Sequence, residues 1–443
     1  MIDWYLLLFI AFTLVMVTIE KTGNHRNSYD YVVLGKNRGL SEGTYSLLIQ
    51  FMTGATFLFP LFLTETLRFS SVLVMIVGAL FVYSVLVKIM NNEDIKHLVL
   101  YPMQSSAEIT SKPLFLFVLT FSNVGSIFIQ TSLVAFLFQD LFEQSSFVGL
   151  SLFLAFCFLY FGLGGIYGVH RIGSILLYLS YFILSFTTLT LFLRTGIGTI
   201  FSRYQQQFSS LMGGSILEVS LCFFTFFLVM VGQICTSYYF WQSIDSVKEN
   251  HRRSALRYSL FSWGALLLAF VVLTIFLFVR NDTPNLSGLL TSFSQIEPFF
   301  LLIIAFLLLT LLVVGVGHNL YSIVCLFLMI QSKANRKGSP FQMVKQAYVI
   351  GIAVCLVVGV ASAHYYENLT MWLPYFISFF ASAGVPFLFV YVTGKIRGKA
   401  TFYTMVLMSI IAVGLIQFLP NIWLIAPVSS GIAFIIHLLI RRF

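Results

Sequence analysis

The sequence predicts an all-α integral membrane protein of about thirteen transmembrane helices. Three observations predict it. Of 443 residues, 59% are hydrophobic and only 9% charged, with a mean hydropathy of +0.94, against roughly a quarter charged in soluble domains. Apolar runs long enough to cross a bilayer recur along the whole chain. The loops between them alternate in charge, so that 21 of the 25 Lys and Arg residues fall on one side and only Arg68, Arg194, Arg203 and Arg280 on the other. By the positive-inside rule the amino terminus is outside and the carboxyl terminus inside.

The candidate spans are 2–19, 43–65, 69–91, 113–138, 146–165, 173–193, 217–241, 258–279, 298–331, 346–363, 370–394, 401–418 and 420–440. The first begins with Asp3 rather than a basic run and has no small-residue cleavage site, so a retained helix is expected, not a signal peptide. The second contains Gln50-Phe-Met-Thr-Gly-Ala-Thr-Phe-Leu-Phe-Pro60, in which Thr53, Gly54, Thr56 and Pro60 weaken the helical ladder near mid-depth. The seventh is interrupted comparably at Gly232-Gln233-Ile-Cys-Thr236-Ser237. Irregular backbone at that depth is tolerated where it is packed in protein or lines a polar cavity, and two interrupted spans in corresponding places suggest two related halves. The ninth span is too long for a simple crossing, so either its start lies along the interface or the helix is tilted and extends beyond the membrane. The stretch from about Gly196 to Gly214, including Tyr204-Gln-Gln-Gln207, is amphipathic and is expected at the outer surface.

The loops are short, the longest about twenty residues, and leave no room for a soluble catalytic domain. The net charge of +9 is spread over many of them, which excludes the clustered basic face that nucleic acid requires. Cys157, Cys222, Cys235, Cys325 and Cys355 sit in apolar spans without metal-binding spacing and read as small buried hydrophobes.

All sixteen acidic residues fall in loops or near span ends. A mid-depth carboxylate is the group that many ion-coupled carriers use to trade a proton or cation. The deep ionisable candidate is His318, within Val314-Gly-Val-Gly-His-Asn-Leu-Tyr-Ser322; it is either a neutral imidazole bonded to a neighbouring helix or a proton-exchanging group. Gln50, Thr53, Thr56, Asn123, Gln130, Thr225, Gln233 and Thr236 are candidates to line one central solute site. The alternative for each is interhelical glue worth on the order of 1 kcal/mol. With neither deep acids nor metal clusters, an intramembrane enzyme has few groups for acid–base or metal chemistry, and none is expected. No deep Arg, Lys, Asp or Glu is present to pair a solute charge, so a neutral, zwitterionic or moderately anionic solute is expected.

Several segments resemble the sodium:solute symporter family. Asp30-Tyr-Val-Val-Leu-Gly-Lys36 is similar to its D-Y-x-x-A-G-R entry, and Thr53-Gly-Ala-Thr-Phe-Leu58 with Pro60 to S-A-x-T-F-x-G-x-P of its first core helix. Tyr160-Phe-Gly-Leu-Gly-Gly165-Ile-Tyr-Gly-Val169 resembles Y-x-x-x-G-G-x-x-A-V, and Asp245-Ser-Val-Lys-Glu-Asn-His-Arg-Arg253 the K-S-x-K-E-A-R-R loop. The resemblance covers most of the chain and implies a LeuT-type five-plus-five inverted repeat with one extra amino-terminal and two extra carboxyl-terminal helices. Residues 1–42 would be the extra helix and inner loop, 43–195 the first repeat, 196–216 an outer connector, 217–398 the second repeat and 399–443 the two last helices. The implied sodium site takes carbonyls around Ala55 and Leu58 and an A-x-x-S-S pattern, here Gly315-Val-Gly-His318-Asn319, with Ser322 one turn on. Where the family continues with Thr-Asp and Gln, this chain has Ile172-Gly173 and Leu176; Tyr239-Phe240 replaces a Gln-Arg pair. Two hydroxyls at the ion position are thus replaced by an imidazole and an amide.

The expected function is a secondary carrier moving a small organic solute across a bacterial cytoplasmic membrane by alternating access, with Na⁺ or H⁺ as possible coupling ions and no other cofactor. The rival is a membrane sensor or scaffold that binds a solute or partner without turnover. Expected partners are the solute and the lipid bilayer, with no nucleic acid; a regulator or a homo-oligomer is left open.

Overall fold

The structure, a computed structural model, describes residues 38–100, 112–141, 145–208, 212–280, 298–332, 340–394 and most of 404–442. The expected span at 2–19 and the Asp30–Lys36 motif lie outside the described residues, as does most of 409–420. Nine described helices are long and apolar enough to cross a membrane.

The second expected span is two helices, α1 (Leu40–Phe51) and α2 (Gly54–Leu67). The break falls at Met52 and Thr53 (φ −118°, ψ 167°), earlier than the proline suggested. Pro60 lies inside α2, where it removes one amide from the ladder without ending it. Thr56 stabilises the restart, its Oγ1 accepting from the Thr53 amide at 3.4 Å and donating to the Phe51 carbonyl. The seventh span is likewise α8 (Ile216–Cys235) and α9 (Tyr238–Ser246), parted at Thr236 and Ser237. Ser215 caps α8, accepting from the Glu218 amide while the Glu218 carboxylate takes the Ser215 amide.

Between and after these lie α3 (Ser70–Ile89), α4 (Glu93–Leu100), α5 (Lys112–Phe136), α6 (Ser146–Thr195) and α7 (Ile197–Gln207). The chain continues with α10 (Glu249–Arg280), α11 (Pro298–Ser332), α12 (Pro340–Tyr365), α13 (Leu369–Thr393) and α14 (Ile422–Arg442). The fifth and sixth expected spans are the two helical arms of α6, which part at Gly165, whose φ of +52° only glycine adopts without strain. The long ninth span is a single helix, α11; its 35 residues reach roughly 50 Å at 1.5 Å each, so it extends beyond the hydrocarbon layer.

The broken helices pack with α3 and α10 into one bundle, while α11 lies along α5 and α6, with α12 against them, as a second group; α13 closes onto α8 and α14. Hydrocarbon gives apolar side chains no drive to leave it, so association rests on close packing and interhelical hydrogen bonds. Both are present. Trp241, Trp263, Tyr238 and Tyr321 are fully buried, Trp241 Nε1 donates to the Cys235 carbonyl at 2.8 Å, and Tyr321 donates to Gln242 Oε1 at 3.0 Å. Phe182 and Val357, each 69% exposed, belong to the outward faces that suit lipid.

Candidate functional site

The two helix breaks face each other. Thr53 Oγ1 donates to Gln233 Oε1 at 3.0 Å, and Ser237 Oγ donates to Gln50 Oε1 at 2.7 Å, so each break holds the other through a side chain. All four residues are buried. Thr56 lies just behind, where its Oγ1 also accepts from Trp263 Nε1 at 3.1 Å.

Helix α5 contributes the centre of the cluster through Ser126. The amide nitrogens of Gln130, Gln233 and Asn319 each lie 3.3 Å from its Oγ, joining α5, α8 and α11 at one atom. One turn earlier, Ser122 shares a hydrogen bond of 2.7 Å with Thr236. Ser122, Ser126 and Gln130 recur every four residues and therefore share one helix face. Ser126, a small residue on that face, lies outside the expected site residues. Asn123, by contrast, donates to its own helix at the Leu119 carbonyl and leaves Oδ1 unsatisfied. Thr225 turns toward α14, donating to the Trp423 carbonyl at 3.0 Å.

At the position suggested for an ion, Gly315 permits a close approach: a methyl group there would collide with Gln130 Oε1 and the Met52 carbonyl. The carbonyl brought against α11 is therefore Met52, at the break; Ala55 and Leu58 belong to α2. His318 is fully buried, its Nδ1 3.1 Å from the Val314 carbonyl and its Nε2 unsatisfied, with its ring 5.6 Å from that of Tyr239. A carbonyl only accepts, so Nδ1 carries a hydrogen and Nε2 of the neutral ring is an acceptor. Asn319 Nδ2 donates to the Gly315 carbonyl at 2.7 Å, and Ser322 Oγ donates to the His318 carbonyl at 2.9 Å. A hard cation such as Na⁺ prefers oxygen ligands, which the imidazole of His318 does not supply, while Asn319, its nitrogen turned to the Gly315 carbonyl, keeps Oδ1 as its acceptor.

Beside the breaks, a small cavity, part of it open to the surroundings, lies among α2, α5, α8, α13 and α14. Gln233 is its polar lining residue; Leu58 and Phe59 are among the apolar ones. The opposite side, between α1 and α9, is closed. Ser46 Oγ donates to Ser243 Oγ at 2.8 Å, and the strand-like pairing of Arg38 with Val247 rests on bonds of 3.1 and 3.2 Å. Among the described residues, no group of three or more His, Cys, Asp or Glu could hold a metal ion.

No family model and no curated protein matches the chain. Solved structures do. A substrate-bound, outward-open Na⁺-coupled sialic acid symporter superposes with a TM-score of 0.73 over 99% of this chain and 97% of that one, at 16% identity. A manganese transporter of Eremococcus coleocola gives 0.54 at 14% identity, covering 90% and 92%. Mhp1, a nucleobase-cation-symport-1 family transporter, gives 0.50 at 11% identity, covering 93% and 94%. The chain thus has the LeuT-type transporter fold.

Proposed function

We propose that the chain is a divergent member of the sodium:solute symporter family, a secondary carrier that moves a small organic solute by alternating access. It lies in a bacterial cytoplasmic membrane with its amino terminus outside. Residues 43–195 and 217–398 form its two repeats. The observation that carries this reading is the meeting of both helix breaks through Thr53 and Gln233 beside a cavity that Gln233 lines, while the Ser46–Ser243 side is closed. Freed backbone and polar side chains at mid-depth are costly unless they line a site, and in this fold such breaks form one.

On this reading the described state is open toward α2 and α8. Solute entering there meets Gln233 and Thr53, and rocking of the bundle against α5 and α11 breaks the Ser46–Ser243 contact to release it on the other side. The sialic acid of the similar symporter is not carried over, since the cavity offers one polar side chain. Na⁺ is not assigned a step either, because His318 and Asn319 stand where hydroxyls would serve it. The coupling ion we propose is H⁺, taken up at His318 Nε2, which has no partner of its own on a ring 5.6 Å from that of Tyr239.

The experiment is solute counterflow in proteoliposomes. Exchange of labelled for unlabelled solute supports a carrier; tight binding with no exchange would favour the sensor reading, which the replaced ion-site hydroxyls motivate.

A further inference from the structure

Three amides converge on Ser126 and ask more of one hydroxyl than it can give. Gln130 Nε2, Gln233 Nε2 and Asn319 Nδ2 each lie 3.3 Å from Ser126 Oγ. A hydroxyl accepts two hydrogen bonds and donates one. Three donors exceed that capacity and leave the serine's own hydrogen without an acceptor, so one of the amides must present its oxygen instead. Oxygen and nitrogen of an amide trade places by a half-turn about the last side-chain bond. Asn319 is not the one that turns: its Nδ2 also donates to the Gly315 carbonyl at 2.7 Å, and an oxygen there would set two acceptors against each other. Gln233 is engaged at both ends, since its Oε1 takes the Thr53 hydroxyl at 3.0 Å. Gln130 is fully buried, and its Oε1 has no partner.

What that free end meets is the first helix break. Gly315 has no side chain, and the point its Cβ would occupy is 2.4 Å from Gln130 Oε1 and 2.5 Å from the Met52 carbonyl oxygen. The two oxygens therefore sit at one spot. Met52 is fully buried, and among the described residues no backbone amide donates to its carbonyl. Two bare acceptors side by side, away from water, are costly. A half-turn of Gln130 removes every fault together: Oε1 accepts from Ser126, the serine keeps two donors for its two lone pairs, and Nε2 is directed at the Met52 carbonyl. Turning Gln233 would leave both oxygens bare. A sodium ion between the oxygens would relieve them as well, but Ser126 would still receive three donors and give none.

We propose that Gln130 is a positioning residue standing in for a cation: its amide N–H holds the carbonyl freed at the first break, which keeps its shape without Na⁺. The bearing of this on coupling rests on the carrier reading; the contact itself does not.

Gln130→Glu tests it. An ionised carboxylate has nearly the shape of the amide but donates nothing, and it adds a charge that Na⁺ would neutralise; when protonated it regains a donor. Thermal melting of the full-length purified protein is followed in NaCl and in choline chloride of equal concentration, at about pH 6 and about pH 9. The wild-type protein is expected to melt alike in both salts at either pH. The variant is expected to melt several degrees higher in Na⁺ than in choline at the higher pH, and to lose most of that difference at the lower pH, where the proton restores the donor. A glutamine that only filled space would give a variant weakened equally in both salts, and that result overturns the proposal. So does a wild-type protein stabilised by Na⁺ over choline, an outcome that does not require the variant to fold. The carrier reading fails separately: absence of counterflow would end it and leave this pattern of melting standing.

Discussion

At the scale of single residues, the centre of the molecule is a set of hydrogen bonds between groups that have no water to fall back on. Removing one partner from such a pair leaves the other buried and unsatisfied, at a cost of about 1–3 kcal/mol. Ser237→Ala should therefore destabilise the protein by that amount, since it strips Gln50 Oε1 of its donor at 2.7 Å; unfolding in detergent checks this, and Gln50→Leu in the same background should add little further loss. His318 makes a different prediction. With H⁺ coupling, uptake by the wild-type protein depends on external pH, and His318→Ala should flatten that profile while keeping solute binding within a few-fold. An unchanged profile in the variant would remove His318 from coupling. The sequence made Gln50, Thr53 and Gln233 legible because large polar groups are conspicuous in an apolar span. Ser126 was not singled out because a lone serine in a membrane helix commonly bonds to its own backbone; only its three neighbours reveal it.

At the scale of elements, the two broken helices are the parts expected to move, and the contacts between them are the parts expected to change. Ser46 and Ser243 join α1 to α9 across the closed side. A disulfide between cysteines at these positions should hold that side shut: Ser46→Cys/Ser243→Cys is expected to stop uptake under oxidation, retain binding, and recover with reductant. Helix α8 also crosses α13 at very short range, where any side chain at Gly232 would run into the Phe380 carbonyl. Gly232→Ala should cost about 1–3 kcal/mol, the usual penalty of overpacking, and a melting temperature equal to that of the wild type would contradict this crossing. The existence of both breaks was readable from polar and small residues interrupting apolar runs. Their positions were less so, because Pro60 was tolerated within α2 and the chain parted where Thr53 could start a new helix. The two arms of α6 match the two expected spans, and a single glycine, Gly165, turns the chain between them without a loop.

At the scale of the whole molecule, the length and alternation of the apolar runs carried the architecture, since a bilayer fixes how long each span must be. Composition alone could not reveal the cavity. Its wall is assembled from phenylalanines of α2 and α13 and a tryptophan of α14, and with 49 Phe in the chain nothing local marks those that line it. The charges on the loops predict topology, and the replaced hydroxyls on α11 predict ion dependence: exchanging Na⁺ for choline should change uptake less than twofold, and a tenfold fall would restore a sodium site at His318 and Asn319. The central claim, that one site between the two breaks is exposed to each side in turn, is tested most directly by counterflow of a radiolabelled solute in proteoliposomes holding the Ser46→Cys/Ser243→Cys protein. The account predicts exchange under reducing conditions and none after oxidation, with binding retained in both; exchange that persists with the disulfide formed would contradict it.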